Sequence, residues 1–550
     1  MFDTIIKRDG REVKFDSSKI TEAIFRAAQA VGGEDRTKAL ELTLEVMKAL
    51  GEMFEGQSFT VEDVQDIVEK ILIEKGHART AKAYILYRHE RTRVREGKSE
   101  LMDVVEEILE ETNRENANVS NSPSAKMLQI ASAASKQFYL NRLIPLNFSQ
   151  AHRNGDIHIH DLDFYKTTIN CMQLPLGEIL QKGFNNGHGY IRPPKRPGSA
   201  TALTAIIIQS SQNDMFGGQS VPFFDSYMAP YVENASEEET FQAMEALVYN
   251  LNSMHSRAGS QVPFSNLNIG CDTSEGGRRA TRNLLMAYDR GLGKGENPIF
   301  PNVIFRIKDG ISMKPGDPNF DLLQLAMRVA ARRMNPTFAF MDTSFNQQYG
   351  DQVSYMGCRT RVIANVNGEA VTEKRGNLSF STINLPRLAL RAKGQIGEFY
   401  RLLEDMIQLT VEQLLERYRI QCEIKVKDMP FVMGQGLYMG SEGLRPCDSI
   451  EPAIKHGTLS VGFIGLAETL AALTGKHHGE SLEAQAMGLS IIQYMARLVD
   501  EAARAYQLNY TLLATPAEGL SGRFVGMDRE RFGSIPGVTD KEYYTNSFHV

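Results

Sequence analysis

Apolar residues recur along this chain at two spacings, and the change from one to the other divides it. Near the amino terminus Thr4-Ile5-Ile6-Lys7 and Glu12-Val13-Lys14-Phe15 read as short strands. Asp9-Gly10 joins them, a pair suited to the positive φ angles of a tight hairpin. From Ile20 the spacing lengthens: Ile20, Ala23, Ile24 and Ala27 share one helical face, with Asp16, Ser17 and Ser18 placed to cap it. Thr60 with Asp63 predicts the start of a second helix, whose apolar face carries Val61, Val64, Ile67, Val68, Ile71 and Leu72. A third is expected over 78–93. A hairpin followed by helices makes residues 1–95 a small α+β domain.

Over 96–550 long amphipathic helices alternate with short apolar runs, which predicts an α/β unit. Ser236 and Glu239 open one helix, and others fit Leu322–Arg333, Phe399–Arg417 and Leu482–Tyr506. Strands are expected at 205–208, 299–305 and 380–385, with a strand-like run at 361–366. The spaced glycines of Ser460–Leu466 read as a helix start. No apolar run approaches the ~20 residues that span a bilayer, and Met1–Arg8 lacks the apolar centre of a secretory signal. The expected setting is the cytoplasm, without a membrane partner.

The 550 residues are 42% hydrophobic and 23% charged, an ordinary globular balance, and the net charge of −6 gives no reason to expect nucleic acid. Cys171, Cys271, Cys358, Cys422 and Cys447 form no C-x-x-C pair. An odd, scattered set fits reduced thiols, and no metal site is assigned from it. Cys358, beside Gly357 in Tyr355-Met356-Gly357-Cys358-Arg359, reads as a reactive sulfur at a tight turn or as a small buried hydrophobe. Lys7, Arg8, Arg11 and Lys19 gather charge at a helix start, as a polyphosphate cradle or a solvated face. The third helix is basic as well, through Arg79, Lys82, Arg88, Arg91, Arg93 and Arg95, and reads as a further phosphate contact or as a charged linker helix. His158 and His160 alternate with Asp161 and Asp163; without a third ligand in register, hydrogen bonding around a nearby site is the preferred reading. Gln261–Asn268 reads as a sugar-binding strand or as buried polar groups with internal partners. Thr515–Arg523 reads as a phosphate-receiving loop or as a plain turn before a helix.

Two sets of motifs carry resemblances. Ile5-Ile6-Lys7-Arg8-Asp9-Gly10-Arg11 followed by Phe15-Asp16-Ser17-Ser18-Lys19-Ile20 resembles the ATP-cone, the regulatory module of ribonucleotide reductases and of their transcriptional repressor. That likeness implies that Ile5, Lys7, Arg8, Asp16 and Lys19 contact ATP or dATP, with Mg. Asn170-Cys171, Met356–Thr360, Arg375–Arg387, Ser460–Leu470 and Thr515–Phe524 together resemble the anaerobic, class III ribonucleoside-triphosphate reductases. The implied fold is a ten-stranded α/β barrel of two antiparallel halves, each of five parallel strands, with a central finger loop. By the same resemblance Cys358 is the thiyl-radical site and Cys171 the thiol that supplies hydrogen. Met356 and Asn377 line their pocket, and Gln261, Phe264, Ser265, Thr515, Pro516, Ala517 and Glu518 bind substrate. A second nucleotide site, for dNTP effectors that select the base, is looked for around 210–218.

The departures are informative. Aerobic reductases carry a glutamate base two residues beyond the radical cysteine, where this chain has Thr360, and no cysteine lies between Arg359 and Gln421. The pattern resembles the formate-dependent branch. The family's four-cysteine zinc module and glycyl-radical loop would follow Val550, so the 550 residues alone are expected to bind nucleotides without turnover. The implied partners are NTP substrates, nucleotide effectors, a second copy of the chain with higher oligomers under dATP, and a radical-SAM activating enzyme. The alternative reading is a non-catalytic nucleotide sensor that oligomerises through its cone.

Overall fold

The computed structural model describes residues 4–7, 12–54, 58–110, 122–255, 261–358, 360–517 and 519–547. The expectations resting on Arg8, Asp9, Gly10, Arg11, Arg359 and Glu518 lie outside these. The chain divides into two compact units, Met1–Glu106 and Glu107–Val550.

In the first unit β1 (Thr4–Ile6) and β2 (Glu12–Lys14) pair antiparallel, with Ile5 opposite Val13. The Ile6 N–H donates to Phe59 O at 3.0 Å, and Phe15 meets Phe59 edge-on. Asp16 accepts the Ser18 N–H at the start of the helix Ser18–Gln29. Thr60 and Asp63 satisfy each other's backbone donors at the start of Val61–Glu74, the reciprocal arrangement expected of that pair. A further helix, Arg36–Phe54, was not anticipated. It buries Ala39, Leu42, Val46 and Leu50 while leaving Leu40, Leu44 and Met53 exposed, so its apolar stripe is blurred in the sequence. The basic helix extends over Ala78–Glu110, and its Arg88 is held by Glu62, Asp66 and Glu69, which removes it from the cations free for phosphate.

The second unit contains β3 (Ile157–Ile159), β4 (Met172–Gln173), β5 (Phe184–Asn185), β6 (Tyr190–Ile191), β7 (Gln219–Val221), β8 (Ser265–Ile269), β9 (Asn302–Ile307), β10 (Thr337–Phe340), β11 (Asn377–Asn384), β12 (Thr458–Ile464) and β13 (Asn509–Ala514). One sheet has the order β10-β9-β8-β7-β4, all parallel, and helices connect its strands. The other has the order β13-β12-β11-β3, with β11, β12 and β13 parallel and β3 antiparallel at the edge. This is an α/β unit with parallel sheets. Among the described residues the sheets hold five and four strands, against an expected five and five.

The two sheets join at one seam. The N–H groups of Asn170, Cys171 and Gln173 donate to the carbonyls of Leu378, Asn377 and Arg375, so the β4 segment runs antiparallel to the start of β11. Two glycines make the seam this tight. A Cβ on Gly376 would overlap the Cys171 carbonyl, and one on Gly217 would overlap that of Asn170. The segment carrying Cys171 therefore has bare backbone on both sides.

Three expected elements are corrected. The 205–208 run lies inside the helix Pro197–Asp214, where Ala205, Ile207 and Ile208 are buried and Ser211 bonds back to Ile207 O; packing overrides the β propensity of the isoleucines. The 361–366 run is not a strand among the described residues. Ser460–Leu466 is mostly strand β12, after which Gly465, at φ 78°, turns the chain into the helix Leu466–Thr474. The strand expected at 299–305 begins three residues later, as β9.

Candidate active site

The loop between β10 and β11 carries Cys358, and both of its legs are fastened. On the incoming leg the main chain of Tyr355 is gripped by side chains of the first sheet. Asn268 Nδ2 donates to Tyr355 O at 2.9 Å while Asn268 Oδ1 accepts Tyr355 N–H at 3.1 Å, and Asn266 Nδ2 reaches the same carbonyl at 3.1 Å. Even-numbered positions of β8 thus face the loop, by the two-residue period of a strand. On the outgoing leg the Arg375 side chain is wholly buried and donates to the carbonyls of Val371, Ile363, Ala364 and His456. Burial lowers this guanidinium to about 10, so it remains a cation at neutral pH.

At the tip the Met356 N–H closes a turn onto Thr360 O at 3.0 Å, and Cys358 Sγ bonds Thr360 Oγ1 at 3.1 Å. Thr360, the residue standing where a base was missed, holds the thiol. Cys171 is buried, and its Sγ donates to Met356 Sδ at 3.0 Å. Cys171, Met356, Val362 and Cys358 form one apolar cluster. The two thiols meet in this cluster and become unlike. The neighbouring Cys358, together with burial, pushes the Cys171 thiol well up, while the neighbouring Cys171, with help from Thr360, draws Cys358 below its ordinary range. Asn377 opens β11 beside them. Its main-chain oxygen accepts the Cys171 N–H at 3.0 Å, and its Oδ1 accepts from Thr458 and Ser460, each at 3.3 Å. A cavity of about 330 Å³ borders Met356 and Gly357, lined also by Ile304, Phe338, Phe340 and Tyr355.

The family model for anaerobic ribonucleoside-triphosphate reductase matches residues 115–550, and that for the ATP cone domain matches residues 3–93. The chain belongs to the anaerobic ribonucleoside-triphosphate reductases. The enzymes of that name from Salmonella typhimurium strain LT2 and Escherichia coli strain K12 are each 34% identical to it, over 99% of this chain and 81% of theirs. The phage T4 member is 29% identical over 81% of this chain and 78% of its own. Among solved structures, an anaerobic ribonucleotide reductase superposes with a TM-score of 0.60 at 16% identity, covering 83% of this chain and 74% of that one. The Thermotoga maritima enzyme in complex with dATP and CTP gives 0.58 at 16%, covering 77% and 74%. These likenesses show the fold.

Of the residues singled out in the sequence, the structure brings together Cys171, Cys358, Met356 and Asn377. Thr515 lies along the second sheet, where its Oγ1 meets Thr382 Oγ1 at 2.8 Å, and Ala517 is buried with Phe524 and Tyr544. Pro516 is half-buried between them. Gln261 is buried, Phe264 packs edge-to-face on Phe300, and Ser265 shares the core-facing side of β8 with Leu267 and Ile269, away from the loop. In the first unit Ile5 packs on the core, Lys7 is half-buried, and Asp16 and Lys19 are exposed. His158 and His160 have protein partners, Arg523 and Thr382. No group of three or more His, Cys, Asp or Glu suited to a metal occurs among the described residues. No helix among them is long and apolar enough to cross a membrane. Asn266 and Asn268, in the run read as a sugar-binding strand or as buried polar groups with internal partners, follow the second of those readings, and Arg375 was not anticipated in the site. The alternation Asn266-Leu267-Asn268-Ile269 was the signal for the first two, since amides on one face of a buried strand need partners.

Proposed function

We propose that this chain converts ribonucleoside triphosphates to deoxyribonucleotides by thiyl-radical chemistry under ATP and dATP control. Cys358 takes a hydrogen atom from the ribose 3′ carbon and returns it at the end. The 2′ hydroxyl leaves as water, and Cys171 supplies a hydrogen atom at the 2′ carbon. The two electrons and the replacement hydrogen come from an external reductant of the formate type that leaves as carbon dioxide. The observation that carries this reading is the meeting of two thiols from distant parts of the sequence at the tip of a doubly fastened loop. Fastening both legs fixes the sulfur before substrate arrives, which is what hydrogen transfer between closely placed atoms demands. The glycyl radical of the family would generate the thiyl when present. The chain's own groups hold the sulfur, exclude water through Met356 and Val362, and orient the ribose beside Asn377.

The remaining parts of the reading follow. A small external reductant of the formate type fits a pocket in which Asn377 stands at the position of a second redox cysteine. Strand direction supports the placing of substrate phosphates at Thr515–Glu518. Asn377, Ser460 and Thr511 are linked by hydrogen bonds near the thiols, and Thr382, paired with Gly462, stands two residues beyond the level of Ser460 and meets Thr515, which follows the end of β13. That offset is about 7 Å at a rise of ~3.3 Å per residue. The two joined sheets would form the halves of a barrel, residues 1–95 would act as the regulatory cone through Ile5, Lys7, Arg8, Asp16 and Lys19, and residues 96–550 as the reductase domain. Gln261, Phe264 and Ser265 would support the substrate wall from behind. The working enzyme would be a cytoplasmic homodimer served by a radical-SAM activase, with dNTP effectors at the dimer interface.

The test is anaerobic turnover of the activated full-length protein carrying Cys358→Ser or Cys171→Ser. Each is expected to abolish dNTP formation, and wild-type rates in either would end the proposal. Lys7→Ala is expected to relieve inhibition by dATP while leaving effector-directed base selection intact, measured by competing the four NTPs.

A further inference from the structure

The two histidines of the His158–Asp163 run find their place in a network that the radical chemistry does not use. His160 follows β3, and its ring is stacked on Phe380 with centroids 3.8 Å apart and planes 17° from parallel. Its Nε2 meets Thr382 Oγ1 at 2.8 Å, and Thr382 Oγ1 meets Thr515 Oγ1 at 2.8 Å. The line runs from the end of β3 across β11 to the end of β13, and it passes over β12 at Gly462. A Cβ on Gly462 would overlap the Thr515 hydroxyl, so the crossing exists only because that residue has no side chain.

Thr515 is tied at every polar atom. Its N–H donates to Phe463 O at 3.1 Å, its carbonyl accepts from Ser547 N–H at 3.5 Å, and its hydroxyl is taken by Thr382. It is a fixed post from which the next residues project. The far end of the tie is rigid too. His158 Nδ1 accepts from Arg523 Nη1 at 3.2 Å, His152 Nδ1 accepts the Ile159 N–H at 3.1 Å, and the His158 and His160 rings meet edge-on at 4.6 Å. Burial and the neighbouring cations keep these imidazoles neutral, so the network is one of dipoles. An apolar wall would pack as well. A linked imidazole and two hydroxyls add direction, because each partner accepts only certain angles.

We propose that His160 is a positioning residue of the substrate site, which acts through Thr382 to hold Thr515 and thereby sets the course of the loop that receives the nucleotide's phosphates. This rests on the reading of Thr515–Glu518 as the phosphate loop. The test is calorimetric binding of an NTP and of the corresponding nucleoside to the full chain, with an effector dNTP present.

His160→Phe keeps the stack on Phe380 and removes Nε2, and Thr382→Val removes the hydroxyl at constant shape. Both are expected to weaken triphosphate binding about tenfold, the effect of one net hydrogen bond, with nucleoside binding unchanged. Thr382→Ser is expected to restore the wild-type ratio. Should His160→Phe fail to fold, the two Thr382 variants carry the same comparison. Equal weakening of nucleoside and triphosphate would overturn the proposal in favour of a general structural role. Wild-type triphosphate affinity in His160→Phe and Thr382→Val, with a loss in Thr515→Val, would overturn it and leave the phosphate loop standing. Wild-type affinity in Thr515→Val as well would bring down the phosphate-loop reading and the proposal with it.

Discussion

The two sheets line one site with polar side chains, yet they employ them differently. On the first sheet Asn266 and Asn268 are consumed by the main chain of Tyr355, so that wall ends on the protein itself. On the second, Asn377 bonds Ser460, which meets Thr511, while His160 bonds Thr382, which meets Thr515, where a loop begins. One wall holds the loop that carries Cys358, and in the proposed function the other receives the nucleotide. Polar side chains thus serve fastening on one side and, in that proposal, reception on the other, and the difference lies in what the last partner is.

Four experiments would break or sharpen this contrast. The largest effect is expected at the seam between the walls: Gly376→Ala places a methyl group on the Cys171 carbonyl and should abolish turnover, and oxidative cross-linking of Cys171 to Cys358 should fail with it. Next comes Arg375→Met, which strands four carbonyls that a buried cation now satisfies. A loss of about 3–5 kcal/mol in denaturant unfolding is expected, because buried carbonyls left without a donor each cost ~1–3 kcal/mol before the surroundings relax.

The third concerns acid. His152 and His160 are held at about 3 by burial first and neighbouring cations second, and His158 is lowered in the same direction. Their unfolded value is about 6.5, so their contribution is intact above that pH and is lost as pH falls from about 6.5 toward 3. Each group should steepen the decline by about 1.4 kcal/mol per pH unit, and replacing one of them by Phe should remove one proton from the uptake. The smallest effect is expected from Asn268→Leu, which loosens one leg of the loop for about 1–3 kcal/mol. Alkylation of Cys358, whose half-maximal rate in the wild type should fall below the ordinary thiol value of about 8.5, should speed up in this variant.

The chemistry of the site was more legible in the sequence than its scaffolding. Cys171, Met356, Cys358 and Asn377 stood in recognisable motifs, and the capping pairs at Thr60 and Ser236 marked helix starts because those bonds are local. Ala205–Ile208 and Ser460–Leu466 were misread because a short, fully buried apolar run has no polar face to reveal its period. Arg375 was passed over for a related reason. Its four acceptors are main-chain carbonyls, which every residue carries, so nothing in the sequence marks them as partners.

Gly376 has an effect that reaches beyond room for a neighbour. Because peptide atoms alone separate Cys171 from the strand beside it, the height at which that sulfur stands is fixed by covalent bond lengths and hydrogen-bond distances. In the proposed chemistry, a gap that must suit the transfer of a single atom would thereby be gauged by the most invariant ruler a polypeptide possesses.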